Sequence, residues 1–210
     1  SPDEMIDDLW IHSCFYAKEN IPNQYLQRYQ LMKGLIAAIP RISSSLREDF
    51  VEKNGDLVKI ISDMLHEDSE NMSIAIKGVS TFVLTSLKSQ LICKIYPLLH
   101  DIYNNSTFPS KSAIGIAFAH GFLMGTASEC FELYKLGGLQ IIASVIELGF
   151  HDSINKCIEC IPRVINMLNE QLTTDKIRSA VINCNLPKII DGIDLCSQEI
   201  LNAEQALFNL

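Results

Sequence analysis

LYKLGGLQIIASVIELG, residues 133–149, holds two apolar helical runs with only Gly137-Gly138 between them. The glycine pair lacks a third glycine, a following Lys-Ser/Thr pair and a preceding strand pattern, so it is not a phosphate-cradling loop. It reads as a joint between two helices. Outward from the joint, Ser128 is placed to cap ECFELYKL, and LQIIASVIEL makes a middle helix. Gly149 to Asp152 then turns the chain, and Ser153 to Glu170 makes a longer third helix with a bend at Pro162.

The same layout recurs along the chain. Ser43 to Ser45 caps LREDFVEK, Asn54-Gly55 suits a left-handed helix end, DLVKIISDMLHE follows, and His66 to Asp68 turns into a helix over 70–88 that Ser69 opens. Ile74, Val79, Phe82 and Val83 supply the buried side of that helix. Near the far end Thr174 caps DKIRSAVIN, the break falls at Cys184-Asn185, and LPKIIDGID follows with Pro187 in a first helical turn, where its missing N–H costs nothing. Between these lies a weaker copy, with ICKIYPLLHDIY as the middle helix and 112–127 as the long one. Leu57 with Ile60, Ile92 with Ile95, Leu139 with Ile142, and Leu186 with Ile189 head the middle helices, at spacings of 35, 47 and 47 residues. Helical repeats of about 40 to 47 residues have this period.

Composition sets the bounds. The 210 residues are 48% hydrophobic with only ten glycines, mean hydropathy is +0.16, and no period-2 alternation marks strands. The most apolar stretch, IGIAFAHGFLMGTA from Ile114 to Ala127, is broken by Gly, His and Thr, and is shorter than the ~18 to 20 residues of a membrane span. No membrane partner is expected. Net charge is −8, and Asp3, Glu4, Asp7 and Asp8 crowd the start while Asp191, Asp194, Glu199 and Glu204 crowd the end. Without a basic stripe to neutralise phosphates, direct nucleic-acid binding is not expected, and a basic protein surface or peptide is the better-matched partner. The seven cysteines lie mostly in apolar helical patterns, which fits reduced thiols in a cytoplasmic or nuclear protein. Cys157-Ile158-Glu159-Cys160 has C-x-x-C spacing but sits in an amphipathic helix without a second ligand pair, so a buried structural role is expected. The opening Ser1-Pro2-Asp3-Glu4 reads as the edge of a longer parent chain.

A short helix, a glycine break, a middle helix starting G-G-hydrophobic-x-x-hydrophobic and a longer third helix together resemble the armadillo repeat. LYKLGGLQIIASVI is the best copy. The resemblance implies an all-α fold, a right-handed superhelix of about four three-helix repeats over 43–196. Capping helices are expected over 1–42, where Trp10, Phe15 and Tyr16 are either buried in the cap or anchors for a partner, and a C-terminal cap over 197–210. Each unit then buries its face against its neighbours, and the third helices line one concave surface. Importin-like and catenin-like members carry an Asn ladder there, often with Trp; only Asn155 and Asn166 are placed for such a role here, and Trp10 is far from both. EDFVEKNGDLVKII and CFELYKLGGLQII also resemble the repeat junctions of armadillo nucleotide-exchange factors that clamp seventy-kilodalton heat-shock chaperones, which makes exchange-factor activity the alternative.

Residues suited to catalysis are few. No G-x-S-x-G elbow exists, and His12, His66, His100, His120 and His151 are scattered singly, without H-x-x-x-H or H-E-x-x-H spacing for a metal. No enzyme activity, metal or cofactor is expected, and His120 in AFAHGF is assigned to the core or the groove. The expected function is a scaffold or adaptor that binds a helix or peptide of another protein on its concave face. Its candidate contacts are Lys77, Ser80 and Thr81 on one third helix, Lys111 and His120 on the next, and Asn155, Glu159 and Arg163 on another.

Overall fold

The computed structural model describes residues 32–34, 36, 37, 39–41, 45, 57–67, 69–149, 151–193 and 197–210. Among them there is no strand. A 3₁₀ turn, Ile39–Arg41, precedes α1 (Leu57–Leu65), α2 (Ser69–Phe82), α3 (Lys88–Lys94) and α4 (Tyr96–Tyr103). α5 (Phe108–Met124), α6 (Ala127–Lys135), α7 (Gly138–Leu148) and α8 (His151–Asn169) follow, then α9 (Thr174–Asn183), α10 (Leu186–Asp191) and α11 (Gln198–Phe208). No described helix is long and apolar enough to cross a membrane. Of the expected helices over 1–42 only 32–34, 36, 37 and 39–41 are described; Trp10, Phe15, Tyr16 and the Asn54-Gly55 break lie outside the described residues.

The chain divides into two compact units, 1–95 and 96–210. In the first, α1 packs along α2 and also meets α3, burying Leu57, Val58, Ile61, Met64 and Leu65. α2 ends at Phe82, six residues before the expected Lys88. Thr85 turns the chain there: its hydroxyl donates to the Phe82 carbonyl at 2.6 Å and accepts from the Leu87 N–H at 3.3 Å. A threonine that bonds its own backbone competes with helix continuation, and periodicity does not register that competition.

The second unit holds the joint quoted above. Gly137 takes φ 78° and ψ 18°, the left-handed region where a Cβ is strained. Its N–H closes α6 on the Tyr134 carbonyl at 2.9 Å, and α7 begins at the next residue. Asn185, at φ 57°, makes the corresponding turn between α9 and α10. Thr126 rather than Ser128 caps α6: its hydroxyl accepts from the Glu129 N–H, and the Glu129 carboxylate accepts from the Thr126 N–H at 2.8 Å. That reciprocal pair is a capping box. Thr173 rather than Thr174 occupies the position before α9.

The weaker copy is corrected in register. Ile92 and Ile95 do not head a middle helix; they lie in α3 and at its end, and the middle helix is α4, headed by Tyr96 and Leu99. Pro97 explains the shift, since it has no N–H to extend α3 and is tolerated only in the first turn of a new helix. Leu57, Tyr96, Leu139 and Leu186 then head the four middle helices at spacings of 39, 43 and 47 residues. Tyr96 is fully buried, packs edge-to-face on Phe118 at 5.0 Å, and donates its hydroxyl to the Ala117 carbonyl at 2.7 Å. The hydrogen bond satisfies a polar group that would otherwise be costly to bury.

Within this unit the long helices stack in order. α5 packs on α8 and α8 on α11, while the middle helices α7 and α10 meet alongside. α11, over the segment expected as a C-terminal cap, packs on α8 and α10. Both α5 and α8 also rest on α7.

Candidate functional site

α5 and α8 pack on one another and both rest on α7, and the positions they leave open are the candidate site. Past residue 113, the partly exposed positions on α5 are Ile116, His120 and Leu123, with Met124 41% exposed at the end. Their spacing of four, three and one places them along one side of the helix. On α8, Asn155, Glu159 and Asn166 are exposed, and Pro162 and Arg163 are half-buried between them. α5 thus carries open apolar side chains with one imidazole, and α8, packed against it, carries amides and a carboxylate.

The predicted residues divide sharply. His120 lies on the α5 strip, and Asn155 and Glu159 lie on the α8 strip; Glu159 accepts from the Lys156 ammonium at 2.6 Å, an exposed pair of small energetic weight. Lys111 is half-buried near the start of α5, with its ammonium 5.3 Å from the centre of the Tyr103 ring. Arg163 points at the end of α5. Its Nε donates to the Phe122 carbonyl at 3.2 Å and its Nη2 to the Gly125 carbonyl at 3.0 Å. Those carbonyls are at the C-terminal end of a helix, where a cation suits both hydrogen bonding and the dipole. Arg163 is a strut between α8 and the α5–α6 corner.

In the first unit, Lys77 is exposed and Thr81 is half-buried, with its hydroxyl donating to the Lys77 carbonyl at 3.2 Å. Ser80 is buried and is removed from the candidate surface. Sequence periodicity placed it opposite the apolar stripe, but Ala75, Ile76, Gly78 and Val79 are buried too, so α2 is covered on more than one side.

Cys157 and Cys160 are buried in α8, and the Cys160 thiol donates to the Cys157 carbonyl at 3.1 Å. Burial pushes the Cys157 thiol up to about 12 and the Cys160 thiol well above its ordinary value. Both therefore stay protonated at neutral pH in the folded chain, as buried structural thiols do.

Sequence reasoning missed Ile116, Leu123 and Met124. α5 is apolar on nearly every side, and such a helix reads as wholly buried. Only the neighbours decide which side stays open. The small residues are a partial signal: Gly115 and Gly121 face packed side chains, since a Cβ would stand 2.6 Å from Val145 Cγ2 at the first and 2.7 Å from the Tyr96 hydroxyl at the second.

No protein-family model matches the chain, and no curated protein matches it. Solved structures do. Designed armadillo repeat protein YIII(Dq)4CqI superposes with a TM-score of 0.75 at 14% identity, covering 98% of this chain and 87% of that one. Designed armadillo repeat protein YIII(Dq.V1)4CPAF, solved in complex with the peptide (KR)4, gives 0.73 at 12% identity over 99% of this chain and 85% of that one. An engineered protein gives 0.62 at 10% identity over 98% and 95%. The three-helix units, the left-handed joints at Gly137 and Asn185 and these superpositions agree: the chain has an armadillo-like helical repeat fold.

Proposed function

We propose that this chain is a non-enzymatic interaction module that docks a helix or extended peptide of another protein across the open faces of α5 and α8. The observation that carries the reading is the pairing of the two strips. Ile116, Leu123 and Met124 offer apolar area that water leaves favourably, and Asn155, Glu159 and Asn166 offer donors and acceptors to fix the register of a backbone. His120 stands on the apolar strip as its one ionisable group. A peptide with basic residues opposite Glu159 suits the strip and the net charge of −8. The (KR)4 complex of a similarly folded design supports the same choice of ligand.

Selection of a displayed peptide library against the chain tests this. Enriched peptides should carry apolar anchors next to Lys or Arg, and should lose about tenfold or more in affinity on Met124→Asp or on Glu159→Lys. Both side chains are solvent-accessible, so melting temperature should hold. Selected peptides indifferent to both substitutions would show that α5 and α8 do not form the binding face.

A further inference from the structure

The other end of the second unit carries a separate surface. α11 packs on α8 and α10 and buries Ile200 and Ala203. Its opposite side presents Leu201, Gln205 and Phe208, spaced four and three residues apart and therefore in one row. Leu201 is 49% exposed and Phe208 87% exposed. With Pro187 and Asp191 of α10 and Glu204 of α11, this row lines an open groove of about 540 Å³. An exposed aromatic at one end and an exposed leucine two turns away, about 10 Å along the helix, are costly to leave in water.

Charge says what fits. Asp191 and Glu204 border the groove, both are exposed, and among the described residues neither is ion-paired. Lys188 is the last cation in the sequence and does not line the groove. A second copy of this chain is a poor occupant, because two such grooves face to face would bring their carboxylates together. We propose that the α10–α11 groove docks a basic amphipathic helix of a partner protein. Its apolar anchors lie two turns apart against Leu201 and Phe208, and its Lys or Arg side chains stand opposite Asp191 and Glu204. This is helix-in-groove recognition, with affinity from the anchors and orientation from the charges. It uses none of the residues on the α5–α8 face.

The probe is a fluorescein-labelled helix of about fifteen residues, long enough to form when docked, with Leu and Phe anchors at i, i+4 and i+7 and Lys on the flanks. An otherwise identical twin carries Glu on the flanks. Fluorescence anisotropy with the full chain should show saturable binding of the basic probe, weakened by salt, and binding of the acidic twin about tenfold or more weaker. Phe208→Ala should cost the basic probe about tenfold as a lost anchor, with an unchanged circular dichroism spectrum. Asp191→Lys combined with Glu204→Lys should reverse the preference between the twins. Equal binding of the twins, equal binding to wild type and Phe208→Ala, or no binding of either probe would overturn the proposal. So would a concentration-dependent dimer in sedimentation that Phe208→Ala abolishes, which would make the occupant a second copy.

Discussion

Replacing Arg163 with Met tests whether this side chain is a strut or a partner contact. Arg163→Met keeps the aliphatic stem and removes two charge-assisted hydrogen bonds, to Phe122 O at 3.2 Å and Gly125 O at 3.0 Å. A hydrogen bond to a charged group contributes about 1.5–3 kcal/mol by mutation. Two bonds from one guanidinium do not add fully, and water can reach part of a half-buried site. Phe122 O also accepts from the Cys130 thiol at 3.4 Å, so it is not left bare. The net cost should be about 2–3 kcal/mol, which lowers the melting temperature by roughly 5–10 °C for a unit of this size. Arg163→Lys should recover only the charge–dipole part, about 0.3–1 kcal/mol, because one ammonium cannot reach both carbonyls in a fork. Far-UV circular dichroism during heating and urea unfolding measures both variants. A melting temperature for Arg163→Met within about 1 °C of wild type would refute the strut and return Arg163 to the open face.

The Gly137-Gly138 joint separates two effects. A Cβ at Gly138 would stand 2.8 Å from Leu133 O and 2.9 Å from Phe118 Cδ1 and Phe122 Cζ. Gly138→Ala should therefore cost about 2–3 kcal/mol by overpacking, while Gly137→Ala, with 3.7 Å of room but φ 78°, should cost about 1–2 kcal/mol through its left-handed backbone. Urea unfolding in the reverse order would show that backbone conformation, not packing, limits this corner. In alkali, the Cys157 thiol keeps its proton up to about 12 in the folded chain, against 9.0 for the free group. Between those values the unfolded chain binds fewer protons, so stability should fall as pH rises, by up to ~1.4 kcal/mol per pH unit from this group. Cys157→Ala should flatten that part of the slope; an unchanged slope would mean that the thiol is not held protonated by burial.

Much of the architecture was legible in the chain because the signals are local. A helix joint needs a residue that accepts positive φ, and Gly137 and Asn185 announce it; a middle helix needs an apolar residue at its head, and Leu57, Leu139 and Leu186 supply it. The second head residue was misread. ICKIYPLLHDIY is continuously apolar, and the break before Pro97 depends on one missing N–H rather than on any change of period. The end of α2 was misread for a related reason, since Thr85 stops the helix through a side-chain bond that hydropathy does not weigh.

The site was less legible, because exposure on a helix packed from several sides is decided by its neighbours. Ser80 and Ile116 show the two directions of the error: a polar residue that α2 buries, and an apolar one that α5 leaves partly open. Arg163 shows a third, in which a charge on the polar stripe of its own helix is committed to carbonyls on another. The sequence by itself determined that this is an all-helical repeat with joints at fixed places, because φ preference, capping and apolar period act over a few residues. Tertiary structure alone decided which faces remain open, which charges are committed and where Leu201 and Phe208 line a groove, because those depend on helices dozens of residues apart meeting in space.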